Sequence, residues 1–195
     1  MITIQEQKFG VEIELSGAPR HTIAEAVAEA VEGRITATHR TGYDETIVTD
    51  QQGREWKIQN DGSIPYLNGH RGSEIVTPIL EYTDIETLQQ VVRKVRATHA
   101  VAPKTAAVHV HVNASPHNPK SLSILAKMVF KNEDMIFDAL QVHPERRRRY
   151  TRPMDEEFID KVAKGRPRTK KELNEMWFGR YLPHPSHYEN HRYYA

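Results

Sequence analysis

The stretch KFGVEIEL, residues 8–15, restricts what this chain can fold into more than any other. Phe9, Val11, Ile13 and Leu15 alternate with Lys8, Gly10, Glu12 and Glu14. A period of two predicts a strand with one face in a core, because successive side chains of a strand leave it on opposite sides. The other face then carries Glu12 and Glu14 only ~6.5–7 Å apart. Neighbouring like charges repel, so such a pair is comfortable when a cation neutralises it. Carboxylate oxygens are hard ligands suited to Mg²⁺ or Mn²⁺. Taken alone, these residues also fit an acidic strand simply exposed to water.

Composition narrows the chemistry. The sequence of 195 residues is long enough to bury a core, and contains no cysteine. Disulfides and thiolate metal sites are therefore excluded, and any metal must be held by carboxylate and imidazole. No apolar run is long enough to span a bilayer and residues 1–10 show no signal-peptide pattern, so cytoplasm is the expectation. Mean hydropathy is −0.67, that of a chain with much polar surface. The 27 basic and 26 acidic residues nearly cancel, but Arg146–Arg149 is an unbroken run and the basic bias continues to Lys171.

Further elements follow from pattern and punctuation. Thr22-x-x-Glu25 and Thr83-x-x-Glu86 read as capping boxes opening two amphipathic helices, the first stopped near Gly33 and the second near His99. ETIVTD and REWKIQ flank Gln51-Gln52-Gly53 as a hairpin, and Asn60-Asp61-Gly62-Ser63 is turn chemistry. Residues 73–77 form a short strand. Ala106–Asn113 alternates again, with Val108, Val110 and Val112 expected inward and His109, His111 and Asn113 outward. A long helix is expected over residues 119–140, and two short ones over 155–164 and 169–177. Residues 1–142 are read as a sheet-and-helix core, and 143–195 as an Arg- and Pro-rich helical segment of the same domain.

Three strands thus carry ionisable groups on one face: Glu12 with Glu14, then Glu74, then His109 with His111. As neighbours in one sheet they would gather three carboxylates and two imidazoles. That ligand set suits Mg²⁺ or Mn²⁺ better than a tetrahedral zinc site.

FGVEIEL, WKIQNDGSI, GSEIVTPIL, VHVHVNAS and the Arg-rich segment up to RYYA, in that order, resemble the amidoligases. These are a branch of the carboxylate–amine ligases similar to glutamine synthetase and γ-glutamylcysteine synthetase. The resemblance implies an α+β fold, with a curved antiparallel sheet that binds ATP and Mg²⁺ (or Mn²⁺) on its concave face. It implies that Glu12, Glu14, Glu74 and His109 hold metal and that His111 faces the nucleotide phosphates. Asp61-Gly62-Ser63 is similar to a glutamine synthetase motif near the amine site, although there it precedes the Glu-x-Glu strand and here it follows. Family members continue past the RYYA position into a strand of the form Thr-x-Glu-Phe-Arg. The resemblance therefore implies that residues 1–195 lack the last strand, one metal ligand and one phosphate-binding arginine, and that they turn over slowly.

The implied reaction joins a small-molecule or peptide carboxylate to an amine donor through an acyl phosphate. Forked arginine donors suit phosphate or carboxylate, and Arg146 and Arg149 are the candidates, for nucleotide binding and for catalysis. Ser63 is a further candidate for nucleotide binding, and Asp61 for taking the proton from the amine. Alanine at Glu12 or Glu14 is expected to remove metal-dependent nucleotide binding and to leave stability unchanged or raised. A metal-dependent hydrolase, built on His109, His111 and a glutamate, is one alternative. A non-catalytic nucleic-acid binder is the other, using the arginine run with Tyr150, Trp177 and Tyr181; a net charge of +1 counts against it.

Overall fold

The alternating residues form strand β1 (Phe9–Leu15), and five more strands assemble with it: β2 (Arg34–Thr38), β3 (Thr46–Thr49), β4 (Glu55–Asn60), β5 (Ser73–Val76) and β6 (Val108–Val112). The computed structural model describes residues 2–39, 43–149 (Arg149 in its backbone only), 151 and 153–183. Residues 2–113 make one compact unit and the residues from 114 onward another.

In the first unit the strands form one open antiparallel sheet in the order β2-β3-β4-β5-β1-β6. The hairpin lies where turn chemistry put it, closed by Asp50 and Arg54 (N···O 3.0 Å) with Gly53 in the left-handed region. Helices α1 (Arg20–Ala30) and α2 (Ile85–Ala97) bring Ile23, Val27, Val91 and Val95 against Leu15, Val48, Trp56, Ile58 and Ile75. This is a mixed fold of helices and antiparallel sheet, as the sequence predicts.

Local signals set the helices less exactly than the strands. Thr22-x-x-Glu25 is not a cap, because α1 already begins at Arg20 behind Pro19 and Glu25 faces His21 at 3.4 Å. Nor is Thr83-x-x-Glu86, because Asp84 is the N-cap of α2 and accepts the Glu81 N–H at 2.8 Å. Gly33 does not provide the left-handed residue after α1; Glu32 does, at φ 49°. Glycine is needed at 33 for another reason. A Cβ there would lie 2.3 Å from the Thr49 carbonyl oxygen.

Strand β6 departs from expectation on its apolar side. Val108, Val110 and Val112 have the phase of the core face, yet are 62%, 61% and 55% exposed. β6 is an edge strand, and α1 packs over β2, β3 and β4 at the other end of the sheet. Alternation fixes which face a side chain joins, not whether anything covers that face.

The second unit holds α3 (Pro119–Ala139), α4 (Pro144–Arg149), α5 (Glu156–Gly165) and α6 (Lys170–Phe178). Asn118, Asp155 and Thr169 cap α3, α5 and α6 with their side chains. Phe158 and Val162 are buried, with the Trp177 ring edge-on to Phe158 at 4.6 Å between centroids. The arginine run is helical, and Arg147 is engaged within its own unit by Asp134 and the Phe137 ring. Tyr150 and residues 184–195, which include the RYYA motif, lie outside the described residues. Among the described residues no helix is long and apolar enough to cross a membrane.

Candidate active site

Register assembles the site. Residues directly opposed across an antiparallel pair share a face and place their Cβ atoms about 4.5–5.5 Å apart. Glu12 opposes His109 on β6, and Glu14 opposes Glu74 on β5. His111 opposes Gly10, which has no side chain, so the imidazole leans to Glu12 (Nε2–Oε1 3.1 Å). His109 bridges both glutamates of β1, with Nε2 3.1 Å from Glu14 Oε1 and Nδ1 3.7 Å from Glu12 Oε2. On the far side of Glu74, Gln59 of β4 donates its amide to Glu74 Oε2 at 3.0 Å. Glu12, Glu14, Glu74, His109 and His111 therefore come together on one face, as the period predicts.

The two glutamates of β1 differ in a way their shared period does not reveal. The Glu12 side chain is 29% exposed and that of Glu14 only 8%. Glu14 is held from both ends of its own residue: Ala107 N–H donates to Oε2 at 2.7 Å, and Glu14 N–H donates to the Ala107 carbonyl at 3.0 Å. A buried carboxylate needs such donors.

A sixth group arrives from a loop. Asp61 follows β4, donates its N–H to the Gly72 carbonyl at 3.2 Å and accepts the Ser63 N–H on Oδ1 at 2.7 Å. One oxygen each from Glu14, Asp61 and Glu74 lie within 4.8 Å of one another. Burial pushes the Glu74 carboxyl above the usual range, and the charges of Glu12, Asp61 and Glu14 add to this while the Gln59 amide opposes it. A hard cation with oxygens at about 2.0–2.1 Å holds them up to roughly 4.2 Å apart. The donor set is thus of the right chemistry and near the right span for Mg²⁺ or Mn²⁺, with small side-chain movement.

Beyond Asp61 the loop encloses a cleft of about 420 Å³, lined by Asp61, Ser63, Ile64, Tyr66 and Arg71 among others. Gly72 closes it tightly, since a Cβ there would lie 2.3 Å from Ile64 Cβ and 2.8 Å from the Ile64 carbonyl oxygen. Gly72→Ala is expected to cost about 1–3 kcal/mol by overpacking, read as a fall in Tm. An unchanged Tm would mean that the loop moves away freely. Ser63 meets Asp61 through its backbone N–H and lines the cleft. Arg146 and Arg149 belong to α4 of the second unit. Gln59, Arg71 and the Ala107 N–H are not legible as site groups from sequence. The only available signal was that Gln59 shares a β4 face with Lys57, in phase with Asp61.

A family model described as "Putative amidoligase enzyme" matches residues 5–195. No curated protein matches the chain.

Proposed function

The chain belongs to the amidoligase family, and from that we propose an ATP- and Mg²⁺-dependent carboxylate–amine ligase that works through an acyl phosphate. The observation that carries this reading is the convergence of Glu14, Asp61 and Glu74, flanked by Glu12 and His109, in a chain matched by that family along nearly its whole length. A free carboxylate cannot lose oxide to an amine at neutral pH. Transfer of the γ-phosphoryl group of ATP to a carboxylate oxygen gives the acyl phosphate and ADP. Attack by the amine then forms the C–N bond and expels phosphate.

Glu14 and Glu74 would hold Mg²⁺, with Glu12 and His109 beside them and Asp61 next to the pair. Bound there, the ion supplies charge neutralisation to phosphate oxygens and a template for the transfer. The chain's own residues have separate tasks. Gln59 orients Glu74, and the Ala107 N–H orients Glu14. Asp61, which lines the cleft, would take a proton from the incoming amine. His111, whose Nε2 lies 3.1 Å from Glu12 Oε1, would face the nucleotide phosphates. The likeness to glutamine synthetase belongs to this reading.

The test is ADP release with mixtures of small carboxylates and amines. Release is expected only when Mg²⁺, a carboxylate and an amine are all present, with hydroxylamine in place of the amine yielding a hydroxamate. Amide hydrolysis without ATP would replace this reading with the hydrolase.

A further inference from the structure

The cleft beside the carboxylate cluster carries opposite charges, and among the described residues its cation is unpaired. Asp61 belongs both to the cleft and to the cluster. Arg71 lines the same cleft and is exposed, and among the described residues its guanidinium has no ion-pair or hydrogen-bond partner. Arg20 and Arg54 of the same unit are both paired with aspartates. Between Asp61 and Arg71 in sequence come the buried Ile64 and the ring of Tyr66, which give the cleft apolar lining. Its volume of about 420 Å³ falls in the range of small-molecule sites, about 300–1,000 Å³.

We propose that this cleft binds the amine donor and that the donor is a free α-amino acid, its ammonium on Asp61 and its carboxylate on Arg71. The inference rests on the ligase reading and adds the substrate class. Arg71 offers a forked pair of donors that matches a carboxylate. Asp61 lies against Glu14 and Glu74, so the nitrogen is delivered next to the place where the acyl phosphate forms. An ammonium cannot attack. One proton passes to the Asp61 carboxylate, the freed lone pair forms the C–N bond, and the C–O bond to phosphate breaks with its electrons leaving on the phosphate. The second proton that the nitrogen must lose goes to the departing phosphate. Ammonia or a simple alkylamine would leave Arg71 unused.

The experiment is ligand-observed NMR with the common α-amino acids, their α-amides and the matching decarboxylated amines, on wild type and Arg71→Met. At least one amino acid should bind at least tenfold more tightly than its amide and amine, and Arg71→Met should abolish that preference. Equal binding of the three forms, binding of no amino acid, or a preference that survives Arg71→Met overturns the proposal. So does a hydroxamate of the bound amino acid in the presence of ATP and hydroxylamine, because that makes it the acyl substrate. Mg²⁺·ATP binding by the wild type is read in parallel. Its absence would defeat the ligase reading, whereas amino-acid binding indifferent to Arg71 would defeat this inference alone.

Discussion

Glu14→Ala is expected to abolish Mg²⁺-dependent ATP binding and to destabilise the metal-free protein by about 1–3 kcal/mol, the cost of a buried donor left unpaired. The donor is the Ala107 N–H, bonded to Glu14 Oε2 at 2.7 Å. His109 loses its nearer carboxylate in the same change. The sequence predicts a different outcome, stability unchanged or raised on relief of repulsion, and treats Glu12 and Glu14 alike. The structure corrects that for Glu14, which is buried and bonded to backbone. Glu12 is more open and is paired with the His109 and His111 imidazoles, so Glu12→Ala is expected to weaken metal-dependent binding while leaving stability within about 0.5 kcal/mol. Calorimetric titration of Mg²⁺·ATP, with denaturant unfolding in chelator, separates the two variants. Intact nucleotide binding by Glu14→Ala would remove Glu14 from the metal set. Equal stability of both variants would mean that water satisfies Ala107.

Arg54→Ala is expected to lose about 3–5 kcal/mol at neutral pH, because it leaves two nearly buried carboxylates without their cation. Arg54 Nε meets Asp50 at 2.9 Å, and its two terminal nitrogens fork onto Asp84 at 2.9 and 3.0 Å. The Asp50 and Asp84 side chains are 4% and 10% exposed. The network ties the β3–β4 hairpin to the N-cap of α2, and the Trp56 indole adds a bond to Asp50 at 3.2 Å. The hydrogen bonds from Arg54 hold the Asp84 carboxyl below the usual range. Burial would raise Asp50, but bonds from the Arg54 backbone, the Trp56 indole and the Arg54 guanidinium more than offset it, so it too lies low.

Carboxyls with lowered folded-state values stabilise the fold above their unfolded value, about 4 for aspartate, and that stabilisation is lost as pH falls through the folded values. The difference between wild type and Arg54→Ala should therefore be large at pH 7 and shrink towards pH 3. Denaturant unfolding at pH 7, 5 and 3 measures it. A difference that stays constant with pH would assign the loss to packing volume rather than charge.

The alternation in KFGVEIEL and VHVHV is a local property, since steric limits on each residue's dihedrals send neighbouring side chains to opposite faces. It was therefore enough to place Glu12, Glu14, His109 and His111 on the polar side of their own strands, and Glu74 with them. Turn chemistry located the hairpin at Gln51–Gly53 for the same local reason. Helix starts were harder, because capping depends on which residue the chain brings to the helix end, and Pro19 and Asp84 replaced the threonines. What remained was decided by contacts between residues far apart in sequence. Register opposed Glu12 to His109 and Glu14 to Glu74, and the backbone at Ala107 turned Glu14 into a buried group while Glu12 stayed open. Close packing of Gly72 on Ile64 accompanies the loop that brings Asp61 to the cluster and Arg71 to the cleft. Sequence period determined which side chains share a face; strand pairing and loop packing determined which of them meet, because those depend on where distant segments come to rest and not on any residue's own conformation.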